Sequence, residues 1–317
     1  GLLAEQQKNK YFARVITEVK EDVEAGAALN QALRKHPKVF DDLYCNLVAS
    51  GEQSGSLDTM LRRLADYQES MLKLRAKVKQ AMIYPAAIVT FAIIVAIFML
   101  WKIIPVFGGI YQELGAQLPG LTAAVLGLSN FVSDYIILIV VGLIAIVVLY
   151  RRWSKTPAGR EIVDRTKLKL PVMGNLMQKI SLSRFTRTLS TLIGGGVPML
   201  ESLKIASTTT DNVIIERQVL NARQMVSEGK SLHDSLKQAS QDQFPAMMIQ
   251  MVNVGESTGT LDEMLGKLAN FFDDEVDNAV SSLLSALEPL VLIFVGGIVG
   301  TLVISMYLPL FNLIQQF

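Results

Sequence analysis

One cysteine, Cys45, and two histidines, His36 and His233, are the only thiol and imidazole groups in this 317-residue sequence. A lone thiol excludes an intrachain disulfide framework and a cysteine-held metal cluster, and two imidazoles are too few for a His-rich metal centre. A surplus of one charge sign is also missing, because 30 basic residues against 29 acidic ones leave a net charge of +1. That balance gives no general affinity for nucleic acid, so any electrostatic role belongs to local clusters. Charged residues make up only 19% of the chain while 50% of it is apolar, which is too apolar for an ordinary soluble enzyme. Alternating β-branched runs are absent, so an all-α fold is expected.

What the sequence does have is apolar residues in blocks. No charge occurs over 81–101, 136–150 or 289–317. About 20 apolar residues cross a bilayer core as a helix, which predicts three transmembrane helices over 81–107, 131–152 and 286–310. Lys73, Arg75, Lys77 and Lys79 precede the first, and Arg151, Arg152, Lys155 and Arg160 follow the second, whereas Glu113 is the only charge between them over 103–133. Excess Lys and Arg mark the cytoplasmic side. The pattern predicts cytoplasmic helical domains at 1–80 and 153–285, a periplasmic loop at 108–130 and a periplasmic tail at 311–317.

The chain repeats itself. A constant offset of 204 residues aligns Phe40 with Phe244, Gly51 with Gly255, Glu52 with Glu256, Gly55 with Gly259, Leu57 with Leu261 and Asp58 with Asp262. The same offset places Pro85 on Pro289 and Pro105 on Pro309, so each unit is read as a polar domain plus the span that follows it. Two units of one orientation need an odd number of connecting spans, which 131–152 supplies. Residues 181–203 have no counterpart in the first unit, so its domain is expected to be incomplete at the N-terminus.

Phe185, Leu189, Leu192 and Ile193 form a helical stripe, Gly194-Gly195-Gly196 breaks it and Pro198 suits the next first turn. Further helices are predicted over 201–208, 213–228 and 231–239, and from Pro245 to near Gly255. The loops Gly51-Glu52-Gln53-Ser54-Gly55 and Gly255-Glu256-Ser257-Thr258-Gly259 lack the Gly-Lys-Ser/Thr ending of a nucleotide loop, and are read as helix-to-helix turns with left-handed glycines. Thr260 and Glu263 have the spacing of a capping box. His36, His233 and Cys45 have no convergent titratable neighbours, and Asp134 and Glu288 lie at span edges, so neither catalysis nor a cofactor is expected. Ala92 and Ala96 in the first span align with Gly296 and Gly300 in the third, a four-residue spacing that suits close packing of the two spans within the chain, or of subunits.

These residues resemble a family. Leu170-Pro171, RFTRTLSTL at 184–192, Gly196-Val197-Pro198, Phe244-Pro245, both Gly-Glu-x-x-Gly loops, EVDNAV at 275–280, Glu288-Pro289 and MYLPLF at 306–311 together look like the type II secretion system F family, the inner-membrane platform proteins of type IV pili and type II secretion. LYCNLVASGEQSGSL at 43–57 is most similar to the pilus-type members. The resemblance implies two six-helix cytoplasmic domains and homo-oligomerisation. It implies partnership with hexameric pilus assembly and retraction ATPases, with prepilin and with the inner-membrane alignment subcomplex. A non-enzymatic scaffold coupling ATPase motion to pilin insertion or removal is the function it implies. A secretion-system platform is the alternative, and a membrane transporter or enzyme the remote one.

The repeats disagree where each approaches its span. Lys73, Arg75, Lys77 and Lys79 align with Asp277, Ala279, Ser281 and Leu283, which follow Asp273, Asp274 and Glu275. Either the basic set meets anionic lipid headgroups, or the two juxtamembrane helices face each other and pair.

Overall fold

A computed structural model of the chain describes residues 2–113, 120–171, 173–240 and 243–314, and every regular element among them is helical. In order these are α1 (Leu2–Glu5), α2 (Lys10–Glu24), α3 (Leu29–Arg34), α4 (Asp42–Ser54), α5 (Leu57–Phe98), a π-helical turn (Met99–Ile103), α6 (Ile104–Glu113), α7 (Gly120–Trp153), α8 (Pro157–Lys169), α9 (Met173–Gly194), α10 (Met199–Thr209), α11 (Val213–Ser227), α12 (Leu232–Ala239), α13 (Ala246–Thr258) and α14 (Leu261–Ile314). They fall into two compact units, Gly1–Ala76 with Glu161–Ala279, and Lys77–Arg160 with Val280–Phe317.

In the first unit, side-chain oxygens start the helices where the sequence supplies them. Asn9 accepts from the amides of Tyr11 and Phe12, Asp41 from Tyr44, Asn212 from Ile214 and Ile215, and Ser231 from Asp234. Each such cap is worth about 1 kcal/mol. Pro198 and Pro245 occupy the N-cap of α10 and α13, one residue before the helices begin. Apolar positions at helical spacing then close two cores. Phe185, Leu189, Val252, Leu265 and Phe272 centre the larger one, with Phe185 stacked on Phe244 at 6.3 Å. Val15, Val19, Ala32, Leu33, Cys45 and Val48 form the smaller.

The second unit is built on helices long and apolar enough to cross a membrane: Leu57–Gly109, Gly120–Trp153 and Leu261–Leu308. The second helix begins at Gly120, ahead of residue 131, and neither proline nor charge occurs from Leu121 to Ser133. Residues 108–113 of the expected loop are likewise helical; 114–119 and the last three residues of the expected tail lie outside the described residues. Ile104, Val125 and Leu302 bring the three helices together, with Ala96, Met99 and Ile298 packed around them. Two hydroxyls tie this end. Ser129 Oγ donates to the Leu100 carbonyl, in the π-helical turn, and Thr122 Oγ1 donates to the Ser305 carbonyl at 2.8 Å. Away from that end the packing opens, and a cavity of about 460 Å³ lies between α5 and α14.

Candidate functional site

The two Gly-Glu-x-x-Gly loops carry a role that their glycines concealed. Glu52 Oε1 accepts the Leu29 amide at 2.6 Å and its Oε2 accepts the Asn30 amide at 3.1 Å. Glu256 does the same to Leu232 and His233 at 2.8 and 3.0 Å. Each carboxylate therefore grips the exposed amides at the N-terminus of a neighbouring helix, α3 or α12, where the helix dipole favours an anion. The N-cap of α3 is Ala28, which has no capping side chain, so Glu52 replaces it; α12 also has Ser231. The sequence signal was available: a repeated Glu opposite a repeated Gly26/Gly229 turn, with φ of +95° and +92° before each short helix.

The four glycines divide into two jobs, which corrects the expectation that all are left-handed. Gly55 and Gly259 end α4 and α13 with φ of +69° and +73°. Gly51 and Gly255 lie inside those helices, and α13 runs on to Thr258. A Cβ on Gly51 would stand 3.0 Å from the Leu57 Cα, and one on Gly255 2.9 Å from the Leu261 Cα. Close backbone approach is what these two positions require. At the capping-box positions the Thr260 amide donates to the Gly255 carbonyl at 2.9 Å, and Glu263 pairs with Lys267 at 2.7 Å.

A seam joins the two halves of this unit. Leu43, Leu47, Met60 and Leu64 pack against Leu192, Val197 and Ile205. Ser50 Oγ donates to the Gly195 carbonyl, and the Tyr67 hydroxyl lies 3.2 Å from Thr188 Oγ1. The triple-glycine break after α9 therefore serves a contact with α4, with Gly196 at φ +76° making the turn.

Two of the acidic residues ahead of the third span, Asp273 and Glu275, have partners on α9. Arg187 Nη2 lies 2.6 Å from Asp273 Oδ2 and donates to Asn270 Oδ1 at 2.8 Å; Ser183 Oγ donates to Asp273 Oδ1. Lys179 and Glu275 pair at 2.6 Å. Asp274 is exposed and Asp277 half-buried. On α5, Lys73 pairs with Glu69 at 2.7 Å, and Lys73, Arg75, Lys77 and Lys79 are all exposed. Positions two apart lie on nearly opposite helix faces and positions four apart on the same one, so Lys73 and Lys77 share one face of α5 and Arg75 and Lys79 the other. Ala92 is buried and Ala96 joins the three-helix contact, but a Cβ on Gly296 or Gly300 would meet nothing within 4 Å. The face of α14 that carries these two glycines is therefore open in this chain.

The remaining polar groups are structural. Asp164 is buried and accepts the Val213 amide at 3.2 Å. Arg217 forks onto both oxygens of Glu161 at 3.2 and 3.0 Å, which holds that carboxyl below its usual range. Burial pushes the Cys45 thiol up from its ordinary value. His36 lies 3.7 Å from Glu18, and His233 lies 3.0 Å from Asp234. Among the described residues no group of three or more His, Cys, Asp or Glu side chains could hold a metal.

Comparison with known proteins places this architecture. The family model described as type II secretion system (T2SS), protein F matches residues 1–105 and 185–309. A type IV pilus assembly protein PilC of Thermus thermophilus is 43% identical, over 99% of this chain and 77% of the relative. The protein of that name from Myxococcus xanthus is 41% identical, over 98% and 74%. A type II secretion system protein F of Vibrio cholerae is 34% identical, over 98% and 76%. The chain belongs to the type II secretion system protein F family.

Proposed function

We propose that this chain is the membrane platform of a type IV pilus machine, coupling cytoplasmic assembly and retraction ATPases to the insertion or removal of pilin subunits in the inner membrane. One observation carries the reading: each Gly-Glu-x-x-Gly motif sits directly before a helix, α5 or α14, that continues into an apolar span. Motion imposed on a domain then has an unbroken helical path into the bilayer. The 54 residues of α14 amount to about 80 Å at 1.5 Å per residue. Basic flanks put residues 1–80 and 153–285 on the cytoplasmic side, and the basic set at Lys73 to Lys79 meets anionic headgroups. Self-association and contacts with prepilin and the alignment subcomplex complete the assembly, and the chain acts as a scaffold rather than an enzyme.

The identities to pilus relatives, 41–43%, exceed the 34% to a secretion relative, which favours the pilus over the secretion reading. Deleting the gene tests it. Loss of surface pili with unchanged export of folded proteins is expected, restored by the wild-type gene. Intact pili with failed export would make the secretion platform the correct reading.

A further inference from the structure

The cavity between α5 and α14 changes character along its length. Gln80, Tyr84 and Glu288 line the end nearer Lys77, while Ile88, Val291 and Val295 line the part deeper in the apolar run. Pro85 lies inside α5 without ending it and leaves the Ala81 carbonyl, also in the wall, without its helical donor. The polar end thus gathers acceptors around one carboxylate. Among the described residues Glu288 forms no ion pair, and neither do Arg151 and Arg152 at the end of α7. The half of α7 that leads to those arginines is bare, since every residue over 143–150 is exposed.

We propose that the cavity receives the α7 of a second copy of this chain, with Arg151 and Arg152 meeting Glu288. The proposal deepens, and rests on, the self-association proposed above. Both charged groups lie where an apolar run meets its polar flank, hence at the same depth, and they are of opposite sign. Helical register agrees: Gly142 lies about 15 Å from Arg152, and the midpoint of Gly296 and Gly300 lies about 15 Å from Glu288, at 1.5 Å per residue. The glycine of α7 therefore reaches the two open glycines of α14, where small residues let helix backbones close up. Lipid tails can fill the apolar part but bring no guanidinium to Glu288. Reciprocal docking about a twofold axis normal to the membrane closes a dimer.

Two differently tagged chains in a Cys45→Ala background, one Leu149→Cys and the other Leu292→Cys, test this by oxidation in membranes. A cross-linked dimer is expected, well above the Leu149→Cys/Ile304→Cys pair, whose positions differ in depth. Glu288→Arg should lower the cross-link about tenfold, the effect of 1.4 kcal/mol, and Arg151→Glu with Arg152→Glu in the other chain should restore it. Benzoylphenylalanine at position 292 of the otherwise unaltered chain should capture the same dimer without disturbing Cys45. Capture of lipid or of a different protein, or cross-linking no greater than the depth control, overturns the proposal. Native mass spectrometry of the same membranes separates the failures: a dimer without the cross-link removes this interface alone, and a monomer removes self-association too.

Discussion

Arg187 Nη2 lies 2.6 Å from Asp273 Oδ2, and this contact ties α9 to the helix that becomes the third apolar span. Both side chains are largely withdrawn from water, at 18% and 28% exposure. Removing one partner leaves a half-buried charge, so Asp273→Ala should destabilise the first unit by about 1.5–3 kcal/mol, read as a lower denaturant midpoint. Reversing Asp273 and Asp277 to Lys should therefore fail to rescue a Lys73→Glu/Lys77→Glu chain in piliation. Rescue would return the basic and acidic sets to a direct pairing.

The two glutamate clamps are not of equal weight. Among the described residues Glu52→Ala removes the one side-chain cap of α3, whereas Glu256→Ala leaves Ser231 on α12. The first should cost about 2–3 kcal/mol and the second nearer 1. Cys45 reports the difference, since it is buried in the core that holds α3. Its alkylation by iodoacetamide should accelerate more in Glu52→Ala than in Glu256→Ala, and equal rates would contradict the assignment.

All-helical architecture, three apolar helices and the turn at each Gly-Glu-x-x-Gly loop were legible because periodicity, charge-free runs and repeated glycines are local signals. The work of Glu52 and Glu256 was not, because their partners lie 22 to 24 residues upstream in sequence. Charge sign alone does not reveal the partners of Asp273 and Glu275, because Arg187 and Lys179 on α9 lie far from them in sequence and are brought to them by the fold. The spacing of Gly296 and Gly300 fixes a shared face without saying what that face meets.

Gly255→Ala should be worse than Gly259→Ala. The first forces a methyl group to 2.9 Å from the Leu261 backbone, an overpacking cost of about 1–3 kcal/mol. The second adds an alanine at φ +73° in open space, about 1 kcal/mol. Chemical denaturation of the two variants checks the order, and a reversed order would mean that α13 and α14 separate at little cost.

Acid should weaken the α8–α11 contact in a defined direction. Arg217 depresses the Glu161 carboxyl, so its contribution is present above the unfolded carboxylate pKa and is lost as pH falls through the lower folded value. The stability gap between wild type and Glu161→Gln should be constant near neutrality and close below about pH 4. The pair is exposed, so the gap is small. A gap that widens on acidification would contradict this sign.

Helical continuity from each domain into its span is the centre of the account, and a Gly-Gly-Gly insertion after Ala279 tests it most directly. The insertion sits where α14 passes from the first compact unit to the second, and three glycines cost that helix about 3 kcal/mol in propensity alone. Surface pili, counted at wild-type levels of membrane-inserted protein, should be lost, while an alanine insertion of a whole number of turns retains a substantial fraction. Normal piliation with the glycine insertion would show that motion reaches the spans by another route and would contradict the account.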